Sequence, residues 1–515
     1  MSRDVHPVRL AAERIVGLGF LLVIAESATT PQILAQPIPT SVEAGGVPIS
    51  SFDQDTCRKC AACHRDGNTG FPPDDRIIDM YEWNKIRTDE HSQAPAVLTG
   101  PRAARIQKTL QKMPGSDDVS RDRRCTSCHD VGLIATGLLA DTGEPERLSN
   151  CELCHGPSKK WYDDHSTPSV WRIKSPEEKQ QEFGMYNVRD SVKRAELCLS
   201  CHLGNSSLDR VVTHEMYAAG HPPLPSFEIE TFAKALPTHW HYEGNAKKQL
   251  LKQFHYDPET HYRTTLSLVA SAVALREAAA LLRDLTAPAN GAQKTATPWP
   301  EFAAFDCYAC HHELLASGRR ADSTRTNWRR DPEYIMRPPG MPRLPLWPTA
   351  LAEVASSGWD GRDALNRSMA TLRKNVSTRA FGRADEIHQA ARQAHDEAEK
   401  LVESLAGGKV DAQAAKKLLQ RLCEHATIEV CDVDTARQIK WALATIYDEL
   451  AAMVPSVRDA EIRQALSNLD QYLGSTLSSS EPEFDILKAR MTKAANYNYA
   501  EFQRQIRELK EHLSR

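Results

Sequence analysis

Five copies of the motif C-x-x-C-H constrain this chain more than any other feature. They are the first to fifth motifs: Cys60–His64, Cys125–His129, Cys151–His155, Cys198–His202 and Cys307–His311. In such a motif, each thiol can form a thioether with one vinyl group of the same haem, and the following histidine becomes the proximal iron ligand. The pattern predicts five covalently bound haem c groups, held by Cys60, Cys63, Cys125, Cys128, Cys151, Cys154, Cys198, Cys201, Cys307 and Cys310 and ligated by His64, His129, His155, His202 and His311.

Zinc binding and disulfides explain the motifs less well. Structural zinc sites need closed sets of four ligands, and five separate three-ligand clusters do not supply them. Disulfides would not require a histidine after every second cysteine. Three of the 13 cysteines are left over. Cys57 is either a free thiol or paired elsewhere, and a disulfide between Cys423 and Cys431 is one of two open states for that pair.

The N-terminus has the pattern of an export signal. Arginines precede the apolar run "IVGLGFLLVIA" at 15–25, and polar residues follow it. This order predicts a signal peptide over residues 1–35 and a periplasmic or secreted protein, with an uncleaved membrane anchor as the alternative. The net charge of -4 gives no sign of a nucleic-acid partner. A second apolar stretch at 266–282 contains Arg276 and Glu277 and predicts a packed helix over about 262–285.

Full ligation of five irons by two histidines each would need five further histidines. Nine remain in the same part of the chain, and each is a candidate distal ligand: His91, His165, His214, His221, His239, His241, His255, His261 and His312. His255 and His261 have the pattern of helix-surface residues. His312 follows a proximal histidine directly, so it would have to serve another iron or none.

One candidate, His221, lies in the stiff segment "YAAGHPPL". Gly220 permits an unusual backbone angle, and Pro222 restricts His221 to extended geometry. A histidine held in this way loses little entropy when it binds iron. His214 lies seven residues earlier, so a short helix between them would present the two histidines to different irons.

The same segments resemble the cytochrome c554-type multihaem cytochromes, which share haem-stacking arrangements with hydroxylamine oxidoreductase and pentahaem nitrite reductase. The matching pieces are "CAACH" followed by "YEWNKIRTDEH", then "CELCHGPSKKWYDDH", "CLSCHLGN" followed by "THEMYAAGHPPLPSFE", and "FDCYACHHEL". The resemblance covers roughly residues 55–316. It implies a haem-packed electron carrier whose distal ligands are His91, His165, His221, His214 and His239.

This chain departs from that family in two ways. The c554 type has four haem sites, whereas this chain has five motifs. The segment "WNKIRTDEH" also differs in spacing from the family's ligand-bearing segment.

The fold class expected is all-α, a loop-rich multihaem cytochrome c domain followed by a C-terminal helical bundle. The boundaries expected are 50–320 for the haem domain, 321–350 for a proline-rich linker and 351–515 for the bundle. Within the bundle, Ile387, Ala391, Ala394, Ala398, Leu401, Val402 and Leu405 recur at helical spacing. Gly407 ends this helix, Asp411 caps the next, Pro455 separates two more, and a last helix begins near Glu483.

Two functions are compatible with these expectations. In the first, all irons have two axial histidines and the protein relays electrons to redox partner proteins. In the second, one iron lacks a distal ligand and acts on a small nitrogen or sulfur compound. Peripheral membrane association is compatible with both, and the sequence leaves the oligomeric state open.

Overall fold

The structure is a computed structural model. It describes residues 91, 94–110, 122–129, 150–156, 158–171, 173–224, 227–236, 262–288, 299–305, 349–377, 381–428, 433–474 and 497–514. The expected signal peptide, the first and fifth motifs and the proline-rich segment lie outside these residues. So do His239, Cys57 and Cys431.

Short helices build the part of the chain that carries the second to fourth motifs. They are α1 (Pro101–Leu110), α2 (Arg123–His129), α3 (Asn150–His155), α4 (Tyr162–His165), α5 (Pro168–Trp171), α6 (Pro176–Phe183), α7 (Ser191–His202), α8 (His214–Ala219) and α9 (Ile229–Ala235). Single 3-10 turns lie at Ala94–Thr99, Ser158–Lys160 and Ser206–Leu208. Side-chain caps begin several of these helices: Asp190 accepts from two backbone N–H groups of α7, and Ser175 forms a capping box with Glu178.

Longer helices follow. They are α10 (Tyr262–Leu285), α11 (Thr349–Ala355), α12 (Arg362–Ser377), α13 (Ala384–Ala406), α14 (Ala412–Ile428), α15 (Val433–Met453), α16 (Ala460–Leu473) and α17 (Tyr499–Ser514). Further 3-10 turns lie at Phe302–Ala304 and Pro455–Val457. No strand occurs among the described residues, so the all-α expectation is confirmed.

Helix α10 lies at the centre of the packing. It contacts α7 on the haem-motif side and α13, α11 and α15 on the C-terminal side. Small residues line its contact with α13: Ala272 and Ala279 on α10 are nearly or fully buried, as are Ala391 and Ala394 on α13. Because small side chains allow helix axes to approach closely, this contact is the most extensive in the described fold.

Two apolar cores share α10. One core joins Leu199 of α7 and Leu266 of α10 to helices α12 and α13. The other joins Leu268 of α10 to α11, α14, α15, α16 and α17. The described residues, which all lie within 50–515, accordingly belong to one compact unit. The predicted domain boundaries fall at or near residues that the structure does not describe, and they stay a prediction.

Buried charges tie α10 to its neighbours. Arg276 is 6% exposed, and its guanidinium contacts carboxylates of Glu196 on α7, Glu277 on α10 and Glu399 on α13. Although burial alone would lower the pKa of Arg276, the three carboxylates raise it above its ordinary value. The cation therefore stays charged and links helices on both sides of α10.

The helix predictions for the C-terminal part are confirmed where the structure describes them. Helix α13 buries six of the seven residues named from the periodicity and ends before Gly407. Asp411 accepts a hydrogen bond from the Ala414 backbone N–H at 2.7 Å. Pro455 lies between α15 and α16. The last described helix begins at Tyr499, and residues 475–496, including Glu483, lie outside the described residues.

The predicted helix at about 262–285 is also confirmed. Within the described part of the chain, it is the one helix whose length and composition would allow it to cross a membrane, and 78% of that stretch is buried in the protein.

The thiol of Cys423 is fully buried in the core and is free. The alternative in which Cys423 forms a disulfide with Cys431 is therefore wrong. Burial raises the pKa of this thiol to about 12, so it behaves as a small apolar side chain.

Candidate haem sites

The second, third and fourth motifs each occupy the C-terminal end of a helix. Helices α2, α3 and α7 end at His129, His155 and His202. Each motif's second thiol and its histidine are adjacent in sequence and emerge together from the last turn. None of the six described motif cysteines forms a disulfide, and none is fully buried. The donor groups that haem c attachment needs are therefore present and accessible.

The imidazole of His129 faces that of His221. Their ring centroids are 6.1 Å apart, with an interplanar angle of 68°. An imidazole nitrogen bonds a metal at about 2 Å and the ring centre lies about 1.1 Å further, so two imidazoles on opposite sides of one metal have centres about 6.2 Å apart. The spacing of His129 and His221 fits that arrangement.

A second pair has the same spacing. The ring centroids of His91 and His202 are 6.3 Å apart, and the two rings are nearly perpendicular at 88°. His91 is more than a hundred positions from His202 in the chain. The structure thus brings one predicted distal ligand to the fourth motif and another to the second.

Local geometry fixes the side chain of His221. Helix α8 ends at Gly220, whose φ of 113° lies in the left-handed region that favours glycine. The His221 backbone N–H donates to the Met216 carbonyl at 2.9 Å, and the His221 ring Nδ1–H donates to the Pro222 carbonyl at 2.7 Å. Because Nδ1 is the donor, Nε2 keeps its lone pair for a metal. The expectation of a held histidine just past a short helix is confirmed.

Aromatic rings surround the proximal histidine of the fourth motif. The His202 ring stacks on Phe227 at 4.4 Å and contacts Phe232 edge-on at 5.7 Å. Phe232 in turn meets Trp441 of α15 at 6.0 Å. The loss of water contact in these surroundings lowers the pKa of His202 to about 3. His202 is therefore neutral at ordinary pH, which is the form that binds iron.

The third motif is followed by a small module that holds His165. The His165 ring lies edge-on to two stacked tryptophan rings, with its centroid 5.5 Å from that of Trp161 and 5.6 Å from that of Trp171. The module closes back on the motif, because the Tyr186 backbone N–H donates to the His155 carbonyl at 2.8 Å. The Trp161 indole N–H is buried and has no protein acceptor in this module.

His214 begins α8, at the opposite end from His221. Its backbone N–H donates to the Glu301 carboxylate at 2.7 Å, and its ring meets Phe302 at 5.5 Å. The turn at Phe302–Ala304 leads towards the fifth motif, which starts two residues after Phe305. His214 is thus placed beside the chain that enters that motif.

The second and fourth motifs meet at a junction that the sequence analysis missed. The thiols of Cys128 and Cys201 contact each other, which raises the pKa of Cys128 and lowers that of Cys201. Arg210 bridges the same two motifs: its Nε–H donates to the Ser127 carbonyl at 2.9 Å, and its terminal N–H donates to the Ser200 hydroxyl. The one signal for this junction in the sequence is that Arg210 lies eight residues past the fourth motif.

Of the predicted site residues, the structure describes the second, third and fourth motifs together with His91, His165, His214 and His221. Two of these four candidates face a proximal histidine at the spacing described above. The remaining predicted site residues, Cys60, Cys63, His64, Cys307, Cys310, His311 and His239, lie outside the described residues.

Comparison with known families agrees with this geometry. The family model described as cytochrome c554 and c-prime matches residues 59–156, a segment that contains the first three motifs. The match supports a c-type cytochrome with covalently bound haem c and a function in electron transfer. The matched segment is thus similar to cytochrome c554-like multihaem cytochromes. No match was found among the curated proteins or among the solved structures.

The residues present fit the haem c that the family implies. The described motifs supply paired thiols and a histidine, which is neutral in the fourth motif, and two of them face a second histidine across a gap that suits one metal ion. Haem c would supply an iron that accepts and releases one electron.

Proposed function

We propose that this protein is an exported pentahaem c-type cytochrome that transfers electrons through closely spaced haems, most of them with two axial histidines. The observation that carries the proposal is the pair of imidazole spacings, 6.1 Å for His129 and His221 and 6.3 Å for His91 and His202. An iron closed on both sides by histidine changes little when it gains an electron, so the barrier to electron transfer is low.

The chain's own residues hold the ligands in place. Pro222 fixes the tautomer of His221, and the Phe227 ring fixes the plane of His202. Because these side chains are set before a metal is bound, little entropy is lost on ligation. His214 is assigned to the iron of the fifth motif, since its ring packs against the turn that leads there.

The contact between Cys128 and Cys201 supports electron transfer between the second and fourth sites. Each cysteine would be the attachment point of its own haem, and the two thiols lie close enough to interact. The edges of two groups attached to these atoms would therefore lie close together. Export follows from the N-terminal pattern, and redox partner proteins would exchange electrons with the outer sites.

The first test is the mass and the EPR spectrum of the purified protein. We expect added mass from five haems and signals from low-spin ferric iron. A high-spin signal that shifts on addition of nitrite, hydroxylamine or carbon monoxide would instead favour the redox enzyme. The absence of added haem mass would overturn both functions.

A further inference from the structure

We propose that the buried guanidinium of Arg210 raises the reduction potentials of both the second and the fourth haem. This inference rests on the proposed function, because it requires that the two motifs carry haem. It adds a residue that lies outside every C-x-x-C-H motif and that is not an iron ligand.

Arg210 is withdrawn from water. The residue is 3% exposed, although arginine is almost never fully buried without a partner charge. A tight loop holds it: the Asn205 backbone N–H donates to the Arg210 carbonyl at 2.8 Å, and the Arg210 backbone N–H donates to the Asn205 carbonyl at 2.9 Å. Its side chain is therefore aimed at the two motifs by a closed backbone pair.

The partners of the guanidinium are neutral. They are the Ser127 carbonyl in the second motif and the Ser200 hydroxyl in the fourth. Within the described residues, no carboxylate forms an ion pair with Arg210, whereas the buried Arg276 has three. The positive charge of Arg210 thus has only neutral hydrogen-bond partners among the described residues at the junction.

A fixed positive charge favours the reduced state of a nearby redox centre. Gain of one electron makes an iron site less positive by one unit, so repulsion from a neighbouring cation falls. The effect is large when water is excluded, since the local dielectric is low. Because Arg210 touches the residue before the second cysteine of both motifs, it acts on the two sites together.

The experiment is a spectroelectrochemical titration of the full-length haem-loaded protein and its Arg210→Met variant. At a fixed applied potential, we expect the ferrous-to-ferric ratio of two haem components to fall about tenfold in the variant, which corresponds to about 59 mV for each. The Arg210→Lys variant keeps the charge and is expected to stay close to the wild type. Arg383→Met, which removes an exposed cation on the C-terminal side, controls for the change in net charge.

Haem loading is measured by mass spectrometry for every variant. A wild type without haem would contradict the proposed function itself. Equal potentials in a fully loaded Arg210→Met variant, or equal shifts in the Lys and Met variants, would overturn the electrostatic role alone. If the Met variant does not load, Arg210→Gln is titrated, since its amide can still donate to the Ser127 carbonyl. Failure of both neutral variants to load would show that Arg210 acts by holding the motifs together, which also overturns the proposal.

Discussion

His221 shows how a single residue is prepared for metal binding. Its backbone is fixed by Gly220 and Pro222, and its ring donates to a carbonyl through Nδ1. We expect His221→Ala to leave the iron of the second motif with an open face, because alanine has no donor atom. The measurement is carbon monoxide binding to the reduced protein, which is expected to rise by about one site per molecule.

The matched control is His395→Ala. His395 is a partly exposed histidine on α13 whose ring contacts Asp396, and it lies far in sequence from every motif. This variant is expected to bind no more carbon monoxide than the wild type. Equal binding by the His221 and His395 variants would show that His221 is not an axial ligand.

Gly204 is a second residue whose identity is fixed by its surroundings, here the loop that holds Arg210. Its φ is 123°, and a Cβ atom there would lie 2.9 Å from the Arg210 carbonyl oxygen. We expect Gly204→Ala to displace Arg210 and to lower the midpoint of thermal unfolding by several degrees. Gly184→Ala is the control, since a Cβ atom there meets nothing within 4 Å although φ is also positive. An equal fall in the unfolding midpoint of the two variants would show that the positive φ, and not the clash with the Arg210 carbonyl, causes the effect.

Single residues differed in how far the sequence could predict them. The Gly-His-Pro-Pro order was enough to predict that His221 is held past the end of a short helix. Its partner could not be predicted, because the contact with His129 spans more than ninety positions. Arg210 was missed because nothing local distinguishes a buried arginine from the many exposed ones.

At the scale of elements, the start of α10 is secured from a distant helix. The carboxylate of Glu449 on α15 accepts from the Arg263 and Thr264 backbone N–H groups at 2.8 Å each and from the Thr264 hydroxyl at 2.7 Å. These are donors that the first turn of a helix cannot satisfy internally. Glu449 therefore caps the first turn of α10.

We expect Glu449→Ala to lower the free energy of unfolding by about 2 kcal/mol, because buried donors lose their acceptor. The measurement is the denaturant midpoint of the haem-loaded protein. Glu403→Ala, an exposed substitution on α13, is the control and is expected to change stability by less than about 0.5 kcal/mol. Similar midpoints for the two variants would argue against the cap.

Helix α13 was predictable from its apolar period and the glycines that follow it. For α10, the sequence predicted only that the helix is packed, because alanine and other apolar residues cover most of its circumference. Its cap could not be foreseen, since Glu449 lies 185 positions from Thr264.

At the scale of the whole molecule, the haem-free helices and the haem-bearing helices share their cores. Leu199 of α7 and Leu401 of α13 belong to one apolar cluster. The change from cysteine motifs to long amphipathic helices suggested separate domains. A change in sequence pattern does not show against which neighbour each helix packs its apolar face, so the shared cores could not be predicted.

Because α10 is apolar on most sides, we expect a chain that ends at Pro348 not to accumulate as a soluble haem protein. Removal of the helices from α11 onward would expose the apolar surface of α10 that packs against α11, α13 and α15. The measurement is gel filtration of the truncated chain with detection of haem absorbance, beside the full-length protein. A monodisperse haem-bearing peak from the truncated chain would contradict this expectation.

The contact between Cys128 and Cys201 has a consequence for biogenesis. If the chain folded before haem attachment, the reduced thiols of Cys128 and Cys201 would lie close together. In an oxidising compartment they would then form a disulfide. Such a cross-link would consume one attachment point of each of two prosthetic groups. Maturation must therefore modify these cysteines while the chain is still open.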